Sequence, residues 1–221
     1  PVVFGIGGNN TAAVVSDLLT YKLDKVDAIL SASPYYNKPT QNGIYAHYQA
    51  LAGATDKPII VYNVPGRTSS NIAADTTIRL ANDFSNIVAV KEASGSMEQI
   101  MDIIQNKPDD FLVISGDDAI TLPIISAGGD GVISVVGNAF PKQFSKMVNA
   151  AMKDEMTAAR EAHYLLLPII APLFAEGNPA GVKECLAELD IMSNHLRLPL
   201  VNVSSELQSK LIELCRNIYN S

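Results

Sequence analysis

Apolar residues fall along this chain in two alternating spacings. Continuous short runs occupy Val2 to Ile6, Ala28 to Leu30, Ile59 to Tyr62, Ile87 to Val90, Phe111 to Ile114 and Gly131 to Val135. Continuity rather than alternation marks a strand covered on both faces, as in a parallel sheet. The stretches between them carry helical spacing, such as Ile78, Leu80 and Ala81, or Met97, Ile100, Met101 and Ile104. Strand and helix are thus expected to alternate six times. Ser96 and Gln99 stand three apart before an apolar-periodic run, so a capping box should open a helix there. Pro58 precedes a strand, Pro108 follows a helix, and Pro141 stands where it can open one. From about Glu155 the strands stop, and three helical stretches are expected near 155–174, 179–192 and 205–219. The division this predicts is an α/β part over 1–154 and a helical extension over 155–221.

Such alternation fits a doubly wound sheet or a (β/α) barrel. A doubly wound nucleotide fold needs a Gly-rich loop after its first strand. Gly5-Ile6-Gly7-Gly8-Asn9 lies there, without GxGxxG spacing and without an acid closing a second strand about twenty residues on. Polar residues gather instead at the C-terminal ends of the strands, the active face of a barrel.

Composition narrows the partners. Sixteen Lys+Arg against 23 Asp+Glu give a net charge of −7 with no basic cluster, which argues against nucleic acid. No apolar run approaches the roughly 20 residues of a membrane helix. The opening PVVFGIGG has neither a signal peptide's basic region nor an initiating Met, so a missing N-terminal part is expected. Cys185 and Cys215, without CxxC spacing, read as buried thiols of a reducing cytoplasm. His47, His163 and His195 are scattered without ligand spacing, and no metal or other cofactor is expected.

Candidate chemistry sits at the strand ends. Lys91 follows Ile87-Val88-Ala89-Val90, so a barrel would aim its amine into a dry interior, where desolvation disfavours the ammonium, as a Schiff-base nucleophile requires. The plain alternative is a lysine paired with a nearby carboxylate. Tyr62 ends the preceding strand and suits proton transfer to a carbonyl held by Lys91, or else is a core tyrosine with a satisfied hydroxyl. Arg67, held in a turn by Pro65 and Gly66, can grip a carboxylate bidentately or form a surface ion pair. Tyr35 and Tyr36 lie in a loop bounded by Pro34 and Pro39, which can present an aromatic ring to a site or a subunit contact, or simply pack.

Tyr62-Asn63-Val64-Pro65-Gly66-Arg67-Thr68, Lys91-Glu92-Ala93-Ser94-Gly95, Ser33-Pro34-Tyr35-Tyr36-Asn37, Ser115-Gly116-Asp117-Asp118 and Gly131-Val132-Ile133-Ser134-Val135 together resemble the motifs of the dihydrodipicolinate synthase family. In the tail, Pro179, Val182-Lys183 and Leu196-Arg197-Leu198-Pro199 fit as well. The resemblance implies a (β/α)8 TIM barrel with a C-terminal three-helix extension, assembled as a homotetramer, a dimer of dimers, in the cytoplasm. It implies that Lys91 condenses with pyruvate and that the enamine attacks L-aspartate 4-semialdehyde, on the route to diaminopimelate and lysine, without a cofactor. Tyr62 then matches the proton donor and acceptor, and Arg67 the arginine that binds the semialdehyde carboxylate. Tyr36 matches a relay tyrosine donated across the dimer interface. Ile133 matches a residue whose carbonyl lies near the lysine, and Gly116 lies in the loop beside the pocket. N-acetylneuraminate lyases of the same superfamily share the lysine and the tyrosine, but Arg67 and the residues after Lys91 are synthase-like.

One departure is large. Family members begin with two further strand-helix units, the second bearing a Gly-Thr-Thr-Gly-Glu motif, and this chain has no such sequence. The expectation is a barrel lacking its first two units of eight. Two readings stay open here: an active synthase of which this chain is a part, or a non-catalytic remnant or subunit with doubtful activity of its own.

Overall fold

The computed structural model describes residues 1–219. Each apolar run contributes a strand: β1 (Val3–Gly5), β2 (Ala28–Ala32), β3 (Ile59–Asn63), β4 (Ile87–Glu92), β5 (Leu112–Ser115) and β6 (Gly131–Val132). They form one parallel sheet in the order β1-β2-β3-β4-β5-β6. Every crossover therefore returns to the next position on the same side. A doubly wound sheet reverses its order at a switch point, and this one does not.

By contact the chain divides into two compact units, Pro1–Asp117 with Ala127–Ile133, and Asp118–Ser126 with Ser134–Ser221. The first holds the whole sheet with α1 (Thr11–Thr20), α2 (Gln41–Ala52), α3 (Pro65–Thr68), α4 (Ala74–Asp83) and α5 (Met97–Asn106). Alternation along the strands assigns the faces. Ile29, Ile59, Val61, Val90 and Val113 are buried with Ile44, Tyr48, Leu51, Leu80, Ile100 and Ile103 of the helices. Each fully buried aliphatic side chain contributes about 1.5–3 kcal/mol. Leu30, Ala32 and Tyr62, at the intervening positions, are only half-buried. Asn10, Thr40 and Ser96 cap α1, α2 and α5 with side-chain oxygens that accept from Ala12 and Ala13, Gly43 and Gln99 backbone N–H groups. Only half of the expected capping box forms. Gln99 does not return to the Ser96 N–H, which donates to Ser94 Oγ instead, because the Gln99 amide is held by Glu92 and Asn71.

The second unit is helical: α6 (Thr121–Ser126), α7 (Val136–Ala139), α8 (Pro141–Ala151), α9 (Met156–Phe174), α10 (Ala180–Glu188) and α11 (Ser205–Tyr219). Pro141 opens α8, as its sequence position requires. At Gly181 a Cβ would fall on the Leu173 carbonyl, so only glycine lets α10 approach α9 this closely. The strand expected to run to Val135 stops at Val132. Asp118 Oδ2 accepts from the Val135 and Val136 N–H groups, both at 3.0 Å, and takes them out of any ladder. Cys185 and Cys215 are free and buried. They meet across α10 and α11, where hydrogen bonding to the Cys215 thiol and then burial push the Cys185 thiol up. Among the described residues no helix is long and apolar enough to cross a membrane.

Candidate active site

Two strand ends of the first unit create the site, and a register shift aligns them. β3 and β4 begin with Ile59 opposite Ile87, but Ile60 then pairs with Ala89, leaving Val88 as an extra residue. From that bulge on, Tyr62 pairs with Lys91 and Asn63 with Glu92. Without it, Lys91 would pair with Asn63 and point to the helix-covered face, because a one-residue slip inverts every side chain.

Lys91 is 9% exposed, and its Nζ lies 4.3 Å from the centroid of the Tyr62 ring. At that distance the ring's negative face attracts a cationic nitrogen. Burial raises the Tyr62 phenol above its ordinary value, while the Arg67 guanidinium pulls it the other way. Tyr62 therefore keeps its proton at neutral pH and can donate it. Arg67 is carried on the single turn of α3, which Pro65 opens and Ser69 ends in a left-handed conformation (φ 56°). It is exposed, as a group that meets an incoming substrate must be.

Gly116 forms the wall opposite. A Cβ there would stand 2.9 Å from Lys91 Cε, 3.1 Å from Lys91 Cγ and 2.9 Å from Ala93 Cβ. Its N–H donates to the Glu92 carbonyl at 2.7 Å, so the turn after β5 is tied directly to the end of β4. The Ile133 N–H likewise donates to the Ser115 carbonyl at 3.0 Å, one step beyond the paired residues of β6. Tyr48 supports the site from below: its hydroxyl donates to the Ser31 carbonyl at 2.8 Å, and burial pushes its phenol far up.

Of the residues expected from sequence, Lys91, Tyr62, Arg67, Gly116 and Ile133 lie at the C-terminal ends of β3 to β6 or in the turns that follow. Tyr36 stands apart from them in character. It is 86% exposed with φ 72°, held outward by its loop. Sequence reasoning missed the register shift at Val88, and it also missed the polar pair behind the site. Asn63 and Glu92 are fully buried and hydrogen-bonded to each other. Their signal was present in the sequence, since an amide and a carboxylate directly follow Tyr62 and Lys91 at the ends of apolar strands. Among the described residues no group of three or more His, Cys, Asp or Glu is placed to hold a metal ion. The chemistry available to the geometry is that of a buried amine beside a proton-bearing phenol: imine formation with a carbonyl compound, and proton transfer to and from it.

Comparison with known proteins gives the same direction. The 4-hydroxy-tetrahydrodipicolinate synthase of Flavobacterium psychrophilum is 53% identical over 211 residues, 96% of this chain and 72% of that protein. The enzyme of the same name from Parabacteroides distasonis is 51% identical over 218 residues, 99% of this chain and 73% of that protein. Among solved structures, dihydrodipicolinate synthase from Aquifex aeolicus superposes with a TM-score of 0.95 at 41% identity, over 99% of this chain and 74% of that one. The model of the dihydrodipicolinate synthetase family matches residues 1–218, and the chain belongs to that family.

Proposed function

We propose that the protein condenses pyruvate with L-aspartate 4-semialdehyde through a Schiff base on Lys91, giving 4-hydroxy-tetrahydrodipicolinate. The observation that carries this reading is the buried Lys91 amine over the ring of a proton-bearing Tyr62 at the C-terminal strand ends. The neutral amine attacks the ketone carbon of pyruvate, and the new C–N bond leaves a carbinolamine. Tyr62 protonates the departing hydroxyl, so one water leaves and an iminium remains. The Tyr62 phenolate then takes up a methyl proton, which gives the enamine and restores the phenol. Its carbon attacks the aldehyde carbon of the semialdehyde, and the resulting alkoxide takes up a proton. The semialdehyde's own amino group then displaces Lys91 from the imine carbon, which closes the ring and frees the enzyme. The Tyr62 ring that faces the Lys91 nitrogen also faces the cationic imine formed on it, which its negative face stabilises.

Arg67 is assigned to the semialdehyde carboxylate, on the grounds of its exposure and of the pull its guanidinium exerts on the Tyr62 phenol. Gly116 and Ile133 are assigned to the pocket wall. Tyr36 is assigned to a relay completed in a neighbouring copy of a homotetramer, and its 86% exposure supports that role. We read the six strands as consecutive strands of a (β/α)8 barrel, with 155–221 as its helical extension. The close superposition over about three quarters of the solved Aquifex aeolicus chain supports this reading. Two free buried thiols suit a reducing, cytoplasmic setting.

The assay is consumption of pyruvate with and without the semialdehyde. Lys91→Ala should abolish it. Arg67→Ala should raise the KM for the semialdehyde while leaving imine formation with pyruvate intact. Full turnover by Lys91→Ala would sink the proposal.

A further inference from the structure

Behind the Tyr62–Lys91 pair, on the opposite face of the same two strands, lies a closed polar network. Asn63 and Glu92, both fully buried, are paired in register immediately after Tyr62 and Lys91. Asn63 Nδ2 donates to Glu92 Oε1 and Oε2, both at 3.1 Å, and to Asn71 Oδ1 at 2.9 Å. Asn63 Oδ1 accepts from the Ile72 N–H at 3.0 Å, which fixes the amide's orientation. Glu92 Oε1 also accepts from the Ser94 N–H at 2.7 Å, and Oε2 from Gln99 Nε2 at 3.0 Å. Asn71 Nδ2 in turn donates to Gln99 Oε1 at 2.9 Å. The network thus pins the ends of β3 and β4 to each other, to the segment before α4 and to α5.

We propose that Glu92 and Asn63 are positioning residues that hold Lys91 over Tyr62 by locking the β3–β4 register just downstream of the bulge. The proposal rests on the functional reading above. Its physical basis is that the bulge at Val88 has already shifted the register once, and apolar strands such as these offer neighbouring registers of similar packing. A slip would turn Lys91 out of the site and put Glu92 in its place. The Asn63–Glu92 bonds form in only one register, and any other leaves a buried carboxylate without its donors.

The hydrogen-bond pattern allows a discriminating test. In Glu92→Gln, an amide nitrogen at either oxygen position faces a donor: the Ser94 N–H or Gln99 Nε2, and Asn63 Nδ2 in both cases. Gln99 can turn to accept from that nitrogen, but Asn63 cannot, because Ile72 holds it, so two amide nitrogens are left facing each other. Asn63→Asp instead sets two carboxylates face to face. The double variant N63D/E92Q reverses the polarity and satisfies every side chain of the network, at the loss of one long bond, 3.4 Å, from position 63 to the Ile72 carbonyl. The carboxylate now at position 63 keeps one oxygen on the Ile72 N–H, and its other oxygen accepts from the Asn71 amide and from the amide now at position 92. The carbonyl oxygen of that new amide accepts from the Ser94 N–H. A turned Gln99 accepts from its nitrogen and donates to Asn71.

Imine formation at saturating pyruvate, trapped with borohydride and read by mass, is measured at a temperature where circular dichroism shows every variant folded. Each single variant should slow trapping by about tenfold or more. The pyruvate concentration for half-maximal rate should change little. N63D/E92Q should recover to within about threefold of the starting protein. The ring-current shift of the Lys91 ε-methylene over Tyr62, read by NMR without pyruvate, should collapse in the singles and return in the double variant. Single variants that melt lower but trap at the original rate would overturn the proposal, as would a double variant no better than the singles or one that fails to fold. If the starting protein forms no adduct at Lys91, the functional reading fails. The ring-current shift alone then supports or overturns the positioning role.

Discussion

Replacing Gly116 with alanine adds one methyl group where the structure has no room for it. The new Cβ would lie 2.9 Å from both Lys91 Cε and Ala93 Cβ. Carbon atoms rest at about 3.5–4.0 Å, so each contact is short by about 0.6 Å or more. The turn cannot back away freely, because the Gly116 N–H is bonded to the Glu92 carbonyl at 2.7 Å. Ala93 is fixed to the backbone, so the part able to move is the Lys91 side chain, and it carries Nζ with it. Overpacking of this kind costs about 1–3 kcal/mol of stability, and displacing a reacting atom by about 1 Å costs on the order of 100-fold in rate. Gly116→Ala should therefore trap pyruvate roughly 100-fold more slowly while remaining folded. Adding Ala93→Gly removes one of the two shortest contacts and leaves the one on Lys91 Cε. The double variant should regain melting temperature without regaining rate. Trapping by Gly116→Ala within about twofold of the original rate would refute the tight wall on which this rests.

Tyr62→Phe removes the proton donor and should slow condensation by about 100-fold or more. Since burial holds the phenol's pKa above its usual value of 10.0, the factor should be the same at about pH 7 and about pH 9. A factor that shrinks with rising pH would contradict the assignment. His47, 3% exposed and bonded through Nδ1 to Thr11 Oγ1 at 2.9 Å, has its pKa lowered by burial from 6.5 to about 4. The unfolded chain binds its proton first, so stability should fall as pH drops from 6.5 towards about 4. The upper bound of that loss is about 3 kcal/mol. His47→Gln should flatten this part of a urea-denaturation pH series, and an unchanged slope would count against a neutral buried imidazole. Cys185 and Cys215 should resist alkylation in the native protein and react on unfolding, because both are buried and the Cys185 thiol is pushed up. Rapid native labelling would contradict that.

The six strands were legible because each is written as a continuous apolar run, although cover on both faces is seen in β3 and β4 while β1 is exposed along its length. Lys91 and Tyr62 were legible as candidates through the motifs that resemble the family's, because a lysine or a tyrosine ending an apolar run fits an ion pair or a satisfied core hydroxyl equally well. The bulge was not. Val88 is as apolar as its neighbours, and nothing in Ile87-Val88-Ala89-Val90 reveals that one residue is passed over in the pairing. The role of Gln99 was misread for a related reason. Its spacing from Ser96 satisfied a local rule, but a buried carboxylate seven positions back competes for the same amide and wins it. Cys185 and Cys215 meet only because α10 and α11 pack together, a long-range fact that spacing along the chain does not encode.

The central claim is that the Lys91 amine is the group that captures pyruvate. Incubation with pyruvate and borohydride, followed by peptide mapping, tests it most directly. The account predicts one reduced pyruvyl adduct, on the peptide containing Lys91, and none in Lys91→Ala. An adduct on another lysine, or equal labelling of Lys91→Ala, would contradict it.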